Sequence, residues 1–349
     1  MEDERMKEVY FKQIMIADLQ NKTARVQPFE KGLNVVTSID NHVGKSSLLK
    51  SLYYTLGAEV DFDSVWDRQS KLYVVTLSVD ETEYCIARFM KRFAVFKGKT
   101  LLKITDSVTQ ELAPLLGDIF DFSVYLPNKD TGKVEMAPPA FTFMPYYIDQ
   151  DKGWSGLYDS FASITQYKSA DRIKSLYYHL NIYTKGTVEL MAEKDRLKDH
   201  LEILEDARLN IMTLDAWDPA YDGAIHLLKP IKAQGTLENK IILAQFVALF
   251  QTMEYFKTSA TRFSFVVDSP RAKEASISSS KDILKMISQM EMLPQIILAT
   301  IDYSEYDSEI ETPANIIVLT EKRKLLNESD YVKNQDTIMA ISELLKKQV

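Results

Sequence analysis

The residues best placed to do chemistry stand at 39–47, IDNHVGKSS. A loop that holds nucleotide phosphates must leave a strand, open a helix and present successive backbone N–H groups to the anion. In such a loop Lys45 neutralises charge on the β- and γ-phosphates and the Ser46 hydroxyl ligates magnesium, while Asn41, His42, Val43, Gly44 and Ser47 close around the phosphates. The usual pattern, GxxxxGK[ST], opens on a glycine where this chain has Ile39. The predicted chemistry is binding of ATP with Mg2+. A second candidate is FVVDSPR at 265–271, an apolar run that reaches Asp268. An aspartate ending a buried strand holds magnesium in P-loop enzymes. An ordinary strand-end aspartate capping the next turn has the same local look.

The elements that must position these residues can be read around them. Residues 8–19 and 33–37 are rich in β-branched and aromatic side chains and predict strands. After the second, Leu48, Leu49, Leu52 and Leu56 recur at helical spacing, and Gly57 stands where a helix should stop. Residues 72–79 and 83–96, separated by Asp80-Glu81-Thr82, predict a β-hairpin, with Tyr73, Val75, Leu77 and Val79 alternating as on a half-buried strand. The stretch 105–160 is mixed, its loops marked by Asn128-Lys129-Asp130 and Pro138-Pro139. From 169 to 214 the pattern turns helical and charged. Leu190, Leu197, Leu204 and Ile211 fall seven apart, with Leu201 at another seam position, which is a short coiled-coil signal weakened by Lys194 and Arg208. A helix at 237–256, strands at 263–268, 295–301 and 315–320, and a last helix near 334–347 then predict a mainly parallel sheet covered by helices.

Composition bounds the remaining possibilities. The 349 residues have room for one large or two ordinary domains, and 46% hydrophobic with 26% charged residues is the balance of a soluble globular protein. No apolar stretch approaches the length of a membrane helix, and MEDERMKEVY lacks the apolar run of a secretion signal. The lone Cys85 excludes an internal disulfide framework and a cysteine zinc site. These features predict a cytoplasmic protein with no membrane partner. A net charge of −8 excludes a surface that is basic all over, yet 88–103 carries Arg88, Lys91, Arg92, Lys97, Lys99 and Lys103 with Phe89, Phe93 and Phe96 interleaved and no acidic residue. Such a segment can hold a nucleic-acid backbone. It can equally be a solvated hairpin whose phenylalanines face the core. His179, His200 and His226 are scattered and read as structural rather than metal-binding.

Together, the phosphate loop near residue 40, the distant Asp268 strand and the helical segment between them resemble the SMC-type ABC ATPases. More narrowly, the chain is similar to the coiled-coil ATPases of double-strand-break repair and to their Lamassu-like relatives in bacterial anti-phage defence. The resemblance implies an α/β fold: a P-loop NTPase of ABC/SMC head type with an antiparallel β subdomain and a helical coiled-coil stub. It implies an N-terminal lobe at 1–180, an arm at 181–215 and a C-terminal lobe at 216–349. The family loop reads GxNGxGKS. Asn41, Gly44, Lys45, Ser46 and Ser47 match it, and Ile39 and His42 replace glycines.

Gln150, in PYYIDQDKGW, takes the place of the family's glutamine that binds magnesium and reports the γ-phosphate. In AQGTLENK, 233–240, Gly235 and Thr236 stand for the signature pair that completes the opposing protomer's site. Two departures matter. Ser269 follows Asp268 where the family has its water-activating glutamate, and Thr300-Ile301-Asp302 stands where it has a switch histidine. Glu274, six residues past Asp268, is the candidate substitute. Loss of a general base costs about a hundredfold or more, so slow hydrolysis is expected. The arm would be only ~37 Å long; either it is short by nature or a longer one has been removed. The implied function is a homodimer that sandwiches ATP between heads and couples this to DNA binding or effector control, with further subunits of a defence complex as partners. Two alternatives stand beside it: a nucleotide-gated scaffold that barely turns over, and an unrelated P-loop enzyme, such as a small-molecule kinase, binding one nucleotide per monomer.

Overall fold

The computed structural model describes residues 6–38, 43–162, 167, 169–206, 236–258, 260–269, 277–301, 303, 313–320 and 324–346. Two sheets organise it. The first is antiparallel and six-stranded: β1 (Val9–Asp18), β2 (Thr23–Pro28), β4 (Lys71–Val79), β5 (Thr82–Phe89), β6 (Arg92–Lys97) and β7 (Thr100–Thr105), in the order β2-β1-β4-β5-β6-β7. Its hairpins follow from local chemistry. Asp80 and Glu81 both adopt positive φ, 44° and 63°, the two-residue turn whose twist suits flanking strands. The predicted single strand 83–96 is divided at Met90, whose φ of 55° reverses the chain between β5 and β6. β2 and β7 were not among the predicted strands.

The second sheet has five parallel strands in the order β10-β11-β12-β3-β13, formed by β3 (Gly32–Thr37), β10 (Tyr147–Ile148), β11 (Phe265–Asp268), β12 (Gln295–Thr300) and β13 (Ala314–Val318), while β8 (Tyr125–Pro127) and β9 (Val134–Met136) form a short separate hairpin. It draws strands from both halves of the chain, in agreement with the α/β class read from the sequence.

Helix α1 (Lys45–Thr55) contacts β4 and β5 of one sheet and β11 and β12 of the other. Nine of its residues are buried, including Lys45 and Lys50. A helix enclosed on most sides loses the clean apolar stripe of a surface helix. Strand alternation sorts the antiparallel sheet into two faces. Ile14, Ile16, Tyr73, Val75, Leu77, Ile86, Phe93 and Val95 join α1 in the main core. Met15, Ala17, Leu72, Val74, Ala87, Phe89 and Ala94 pack instead against Tyr331 of α8 (Glu328–Lys333) and Ile338 and Leu345 of α9 (Gln335–Lys346). The helices of the middle segment are α2 (Ala113–Phe120), α3 (Pro139–Phe143), α4 (Ser169–His179) and α5 (Lys185–Asp206). Downstream lie α6 (Thr236–Tyr255), whose Phe246 and Phe250 pack on Phe265 of β11, and α7 (Ile277–Ser288).

Of the predicted heptad, Leu190 and Leu197 lie on α5 and stay exposed, and Ile211 lies outside the described residues. Among the described residues no helix is long and apolar enough to cross a membrane.

Candidate functional site

The carboxyl ends of the parallel strands share one edge of the sheet. Asp268 is level with Ala299, Ala299 with Val36, Thr300 with Thr37, and Ile148 with Val267. Ser38, Asp149-Gln150 and Ser269 therefore leave the sheet side by side, at the edge where open α/β sheets bind ligands. Gly44 caps α1 with a φ of 98°, a conformation that suits glycine. A Cβ there would also stand 2.8 Å from Cβ of Leu325. Glycine is thus required twice over. The first turn of α1 carries no acidic residue and its cap residue makes no side-chain hydrogen bond to the helix, which leaves its N-terminal dipole uncompensated by either and suited to an anion.

Three of the predicted residues converge. The Ser46 hydroxyl donates to Oε1 of Gln150 at 2.6 Å, across 104 residues of chain. Ser46 also faces Asp268. Oδ2 of Asp268 has no hydrogen-bond partner among the described residues. Oδ1 of Asp268 accepts from the Ser269 hydroxyl at 3.1 Å. The carboxyl is fully buried. Burial pushes its pKa up to about 6, against the opposing pull of Ser46, Lys50 and Ser269, and Asp149 adds to the rise. A hydroxyl, an amide oxygen and an orphaned carboxylate oxygen are the hard donors that magnesium takes, and a bound cation would relieve the unpaired buried charge. The residues present fit that ion. Lys45, also buried, donates from Nζ to Oγ of Ser38 at 2.7 Å, at the end of β3.

Other predicted residues fall elsewhere. Val43 is buried and Ser47 half-buried at the start of α1. Asn41, His42, Gly235 and Glu274 lie outside the described residues, as does Asp302. Thr236 opens α6, but its side chain is outside the description. Ser269 has a φ of 47° and donates its backbone N–H to the Ala299 carbonyl at 3.0 Å. Thr300 is buried at the end of β12.

Sequence reasoning missed four neighbours. Lys50 on α1 places its ammonium 3.0 Å from Asp151 and 3.5 Å from Asp149. Burial works to lower its pKa, but Asp149, Asp151 and Asp268 together hold it above the ordinary lysine value. Trp154 donates from Nε1 to the Asp268 carbonyl at 2.8 Å, tying the segment after Gln150 to β11. The available signals were Lys50 one helical turn after Ser46, and the aspartates on either side of Gln150.

The basic segment is less uniform than its composition suggests. Arg88 is buried, bonded to the Tyr54 carbonyl at 2.6 Å, paired with Glu59 and stacked 3.5 Å over the Tyr54 ring. It cannot contact a nucleic acid. Lys103 pairs with Glu111 at 2.7 Å, while Lys91, Lys97 and Lys99 are exposed. Phe93 is buried in the core, as the hairpin reading of this segment expects. His179 is enclosed, stacked 4.4 Å from Phe122. No cluster of potential metal-binding His, Cys, Asp and Glu occurs among the described residues.

No protein-family model matches the chain. It is 36% identical over 212 residues to Lamassu protein LmuB of Bacillus cereus (strain VD014), a match covering 61% of this chain and 37% of that protein. The likeness read from the sequence holds: this chain resembles Lamassu LmuB. A second LmuB, from Bacillus sp. (strain NCIM 5461 / CCTCC AB 2011126 / NIO-1130), is 32% identical over 206 residues, covering 55% of this chain and 36% of the relative. The chain therefore matches over a little more than a third of the length of these LmuB relatives. Among solved structures it is similar to the Smc head domain with an extended coiled coil from Pyrococcus furiosus, with a TM-score of 0.41 at 12% identity, covering 95% of this chain and 100% of that one. It is also similar to the recombination mediator RecF with ATP, with a TM-score of 0.38 at 12% identity, covering 86% and 94%. The LmuB-like chain has an α/β architecture: a parallel sheet with the start of α1 and Asp268 at one edge, and an antiparallel sheet packed across α1.

Proposed function

We propose that this LmuB-like chain is the ATP-binding head of an SMC-like ATPase acting in anti-phage defence or DNA repair in the cytoplasm. In this reading two copies pair head to head around two ATP molecules, and the pairing is coupled to DNA binding or to control of further subunits. The observation that carries the reading is the meeting of Ser46, Gln150 and the orphaned Oδ2 of Asp268 beside the N-terminus of α1. Residues distant in sequence are brought to one point by the parallel sheet, at the position where a phosphate-bound cation would sit.

Each residue then has a role. Lys45 exchanges Ser38 for the β- and γ-phosphates, and the backbone from Asn41 to Ser47 wraps them. Magnesium, when bound by Ser46, Gln150 and Asp268, neutralises phosphate charge. Gly235 and Thr236 of the second copy close the site. Glu274 is the candidate for the carboxylate that activates water, since Ser269 cannot. Exposed Lys91, Lys97 and Lys99, rather than Arg88, would meet a DNA backbone.

Binding of fluorescent ATP with Mg2+, read together with sedimentation, tests this. The wild-type chain should bind ATP and dimerise with it, and Lys45→Ala should weaken binding ~100-fold or more, a loss of about 2.7 kcal/mol. Absence of ATP binding by the wild type would overturn the reading. One nucleotide per monomer without dimerisation would favour a P-loop enzyme of another kind.

A second reading, a nucleotide-gated scaffold that hydrolyses little, is favoured by Ser269 in place of the glutamate and by its hydrogen bond to Asp268. Steady-state turnover with and without DNA separates the two. Turnover well above background that Lys45→Ala abolishes would reject the scaffold.

A further inference from the structure

Gln150 does not reach Ser46 on a loose loop. The Oδ1 atom of Asp149 accepts the backbone N–H groups of Asp151, Lys152 and Gly153 at 2.8, 2.6 and 3.1 Å. Its own N–H donates to Oγ of Ser160 at 3.0 Å. At Gly153 a Cβ would lie 2.4 Å from the Asp149 nitrogen. This tight turn leaves Oδ2 of Asp149 facing Lys50, which also holds Asp151. Ser46 and Lys50 are four residues apart on α1 and share one face. A single helix face therefore offers a hydroxyl to Gln150 and an ammonium to the carboxylates on both sides of it. The Lys50 side chain is only 6% exposed, and a buried ammonium persists where it is paired.

We propose that Lys50 is a positioning residue for the metal site: bridging Asp149 and Asp151, it latches the Gln150 turn to α1 and sets the distance between Gln150 and Ser46. The latch makes the loop that follows β10 move with the phosphate-binding helix as one body. It rests on the nucleotide reading above for its consequence, though not for its existence.

The test combines two measurements on the full chain. Half-saturating Mg2+ is titrated at fixed fluorescent ATP, alongside ATP affinity in EDTA, for wild type, Lys50→Met, Asp151→Asn and Asp151→Glu. Partners that orient metal ligands typically matter ~10-fold or more in metal affinity. Lys50→Met and Asp151→Asn should raise the Mg2+ requirement by about that factor while leaving metal-free ATP affinity unchanged, and Asp151→Glu should restore most of the loss. Amide exchange at 150–153 in the ligand-free protein should quicken in the two latch-breaking variants. An unchanged Mg2+ requirement in both variants overturns the proposal, as does an equal loss of metal-free affinity. Should Lys50→Met fail to fold, Asp151→Asn decides, because that carboxylate is 68% exposed and its loss strands no buried charge at position 151. If the wild type binds no ATP, the nucleotide reading fails, and exchange at 150–153 alone still accepts or rejects the latch.

Discussion

The two sheets treat buried charge in opposite ways. In the antiparallel sheet, buried charges are matched locally: Asp18 with Lys71 at 3.1 Å, and Arg88 with Glu59 and two backbone carbonyls. At the carboxyl edge of the parallel sheet, Asp268 is buried with one oxygen left without a partner among the described residues, and its pKa is driven up to about 6 chiefly by burial. The first arrangement stabilises the fold as it stands. The second is costly until something positive arrives, which is how a binding edge differs from a structural one. Substitutions in the two regions should therefore change stability in opposite directions.

The largest effect is expected in the antiparallel sheet. Arg88→Met removes hydrogen bonds to the Tyr54 and Met90 carbonyls, the Glu59 pair and the contacts with the Tyr54 and Phe93 rings. Glu59 is 41% exposed and can be resolvated, so the loss comes mainly from the stranded carbonyls and amounts to about 3 kcal/mol. Urea unfolding should show it, with ATP affinity unchanged. A loss below about 1 kcal/mol would mean the sheet does not depend on this match.

Asp268→Asn should do the reverse. Burial pushes the pKa of the folded carboxyl from the ordinary carboxylate range up to about 6. The stability it offers is full below pH ~4 and is lost as pH rises through about 6. At pH 7.5 the ionised form costs about 2–3 kcal/mol. The amide should raise the melting temperature of the ligand-free chain by a few degrees while removing the Mg2+ dependence of ATP binding. A lowered melting temperature would contradict the contrast between the sheets.

How far this contrast could be read from residues alone varies by position. Alternation in β4 and the leucine spacing of α1 are local signals, and both elements formed where they were expected. Asp268 was legible because an apolar run led to it. Gln150 was legible only through a family resemblance, since nothing near it in sequence shows that Ser46 lies 2.6 Å away. Lys50 sits in a leucine-rich helix whose burial on both sides depends on two sheets assembled from distant segments, so its pairing is a non-local fact. Arg88 carried an overlooked signal: two residues after Ile86 on the same strand, it shares the core-facing side. Counting its charge as surface ignored that period.

The smallest effect is a difference of slopes, and it couples the site to the interior. His179 is enclosed by Phe122 and Tyr146, and burial, with Arg262 adding repulsion, drives its pKa down to about 3. A neutral folded histidine loses stability as pH falls below 6.5, where the unfolded chain takes up its proton. Asp268 has the opposite sign between about 3.8 and 6, where the folded chain holds the proton that the unfolded chain has lost. Across the shared window each state binds one proton from this pair, and their contributions to the pH slope cancel. His179→Phe keeps the stacking and removes one side of the balance, so stability should rise on acidification by up to about 1.4 kcal/mol per pH unit relative to wild type. Asp268→Asn should fall by a similar amount over the same range. Urea midpoints for the three proteins between pH 4.5 and 6 check this. If His179→Phe ran parallel to wild type, the buried histidine would be taking up its proton in the folded chain, and the enclosure around Phe122 would be more open than its packing indicates.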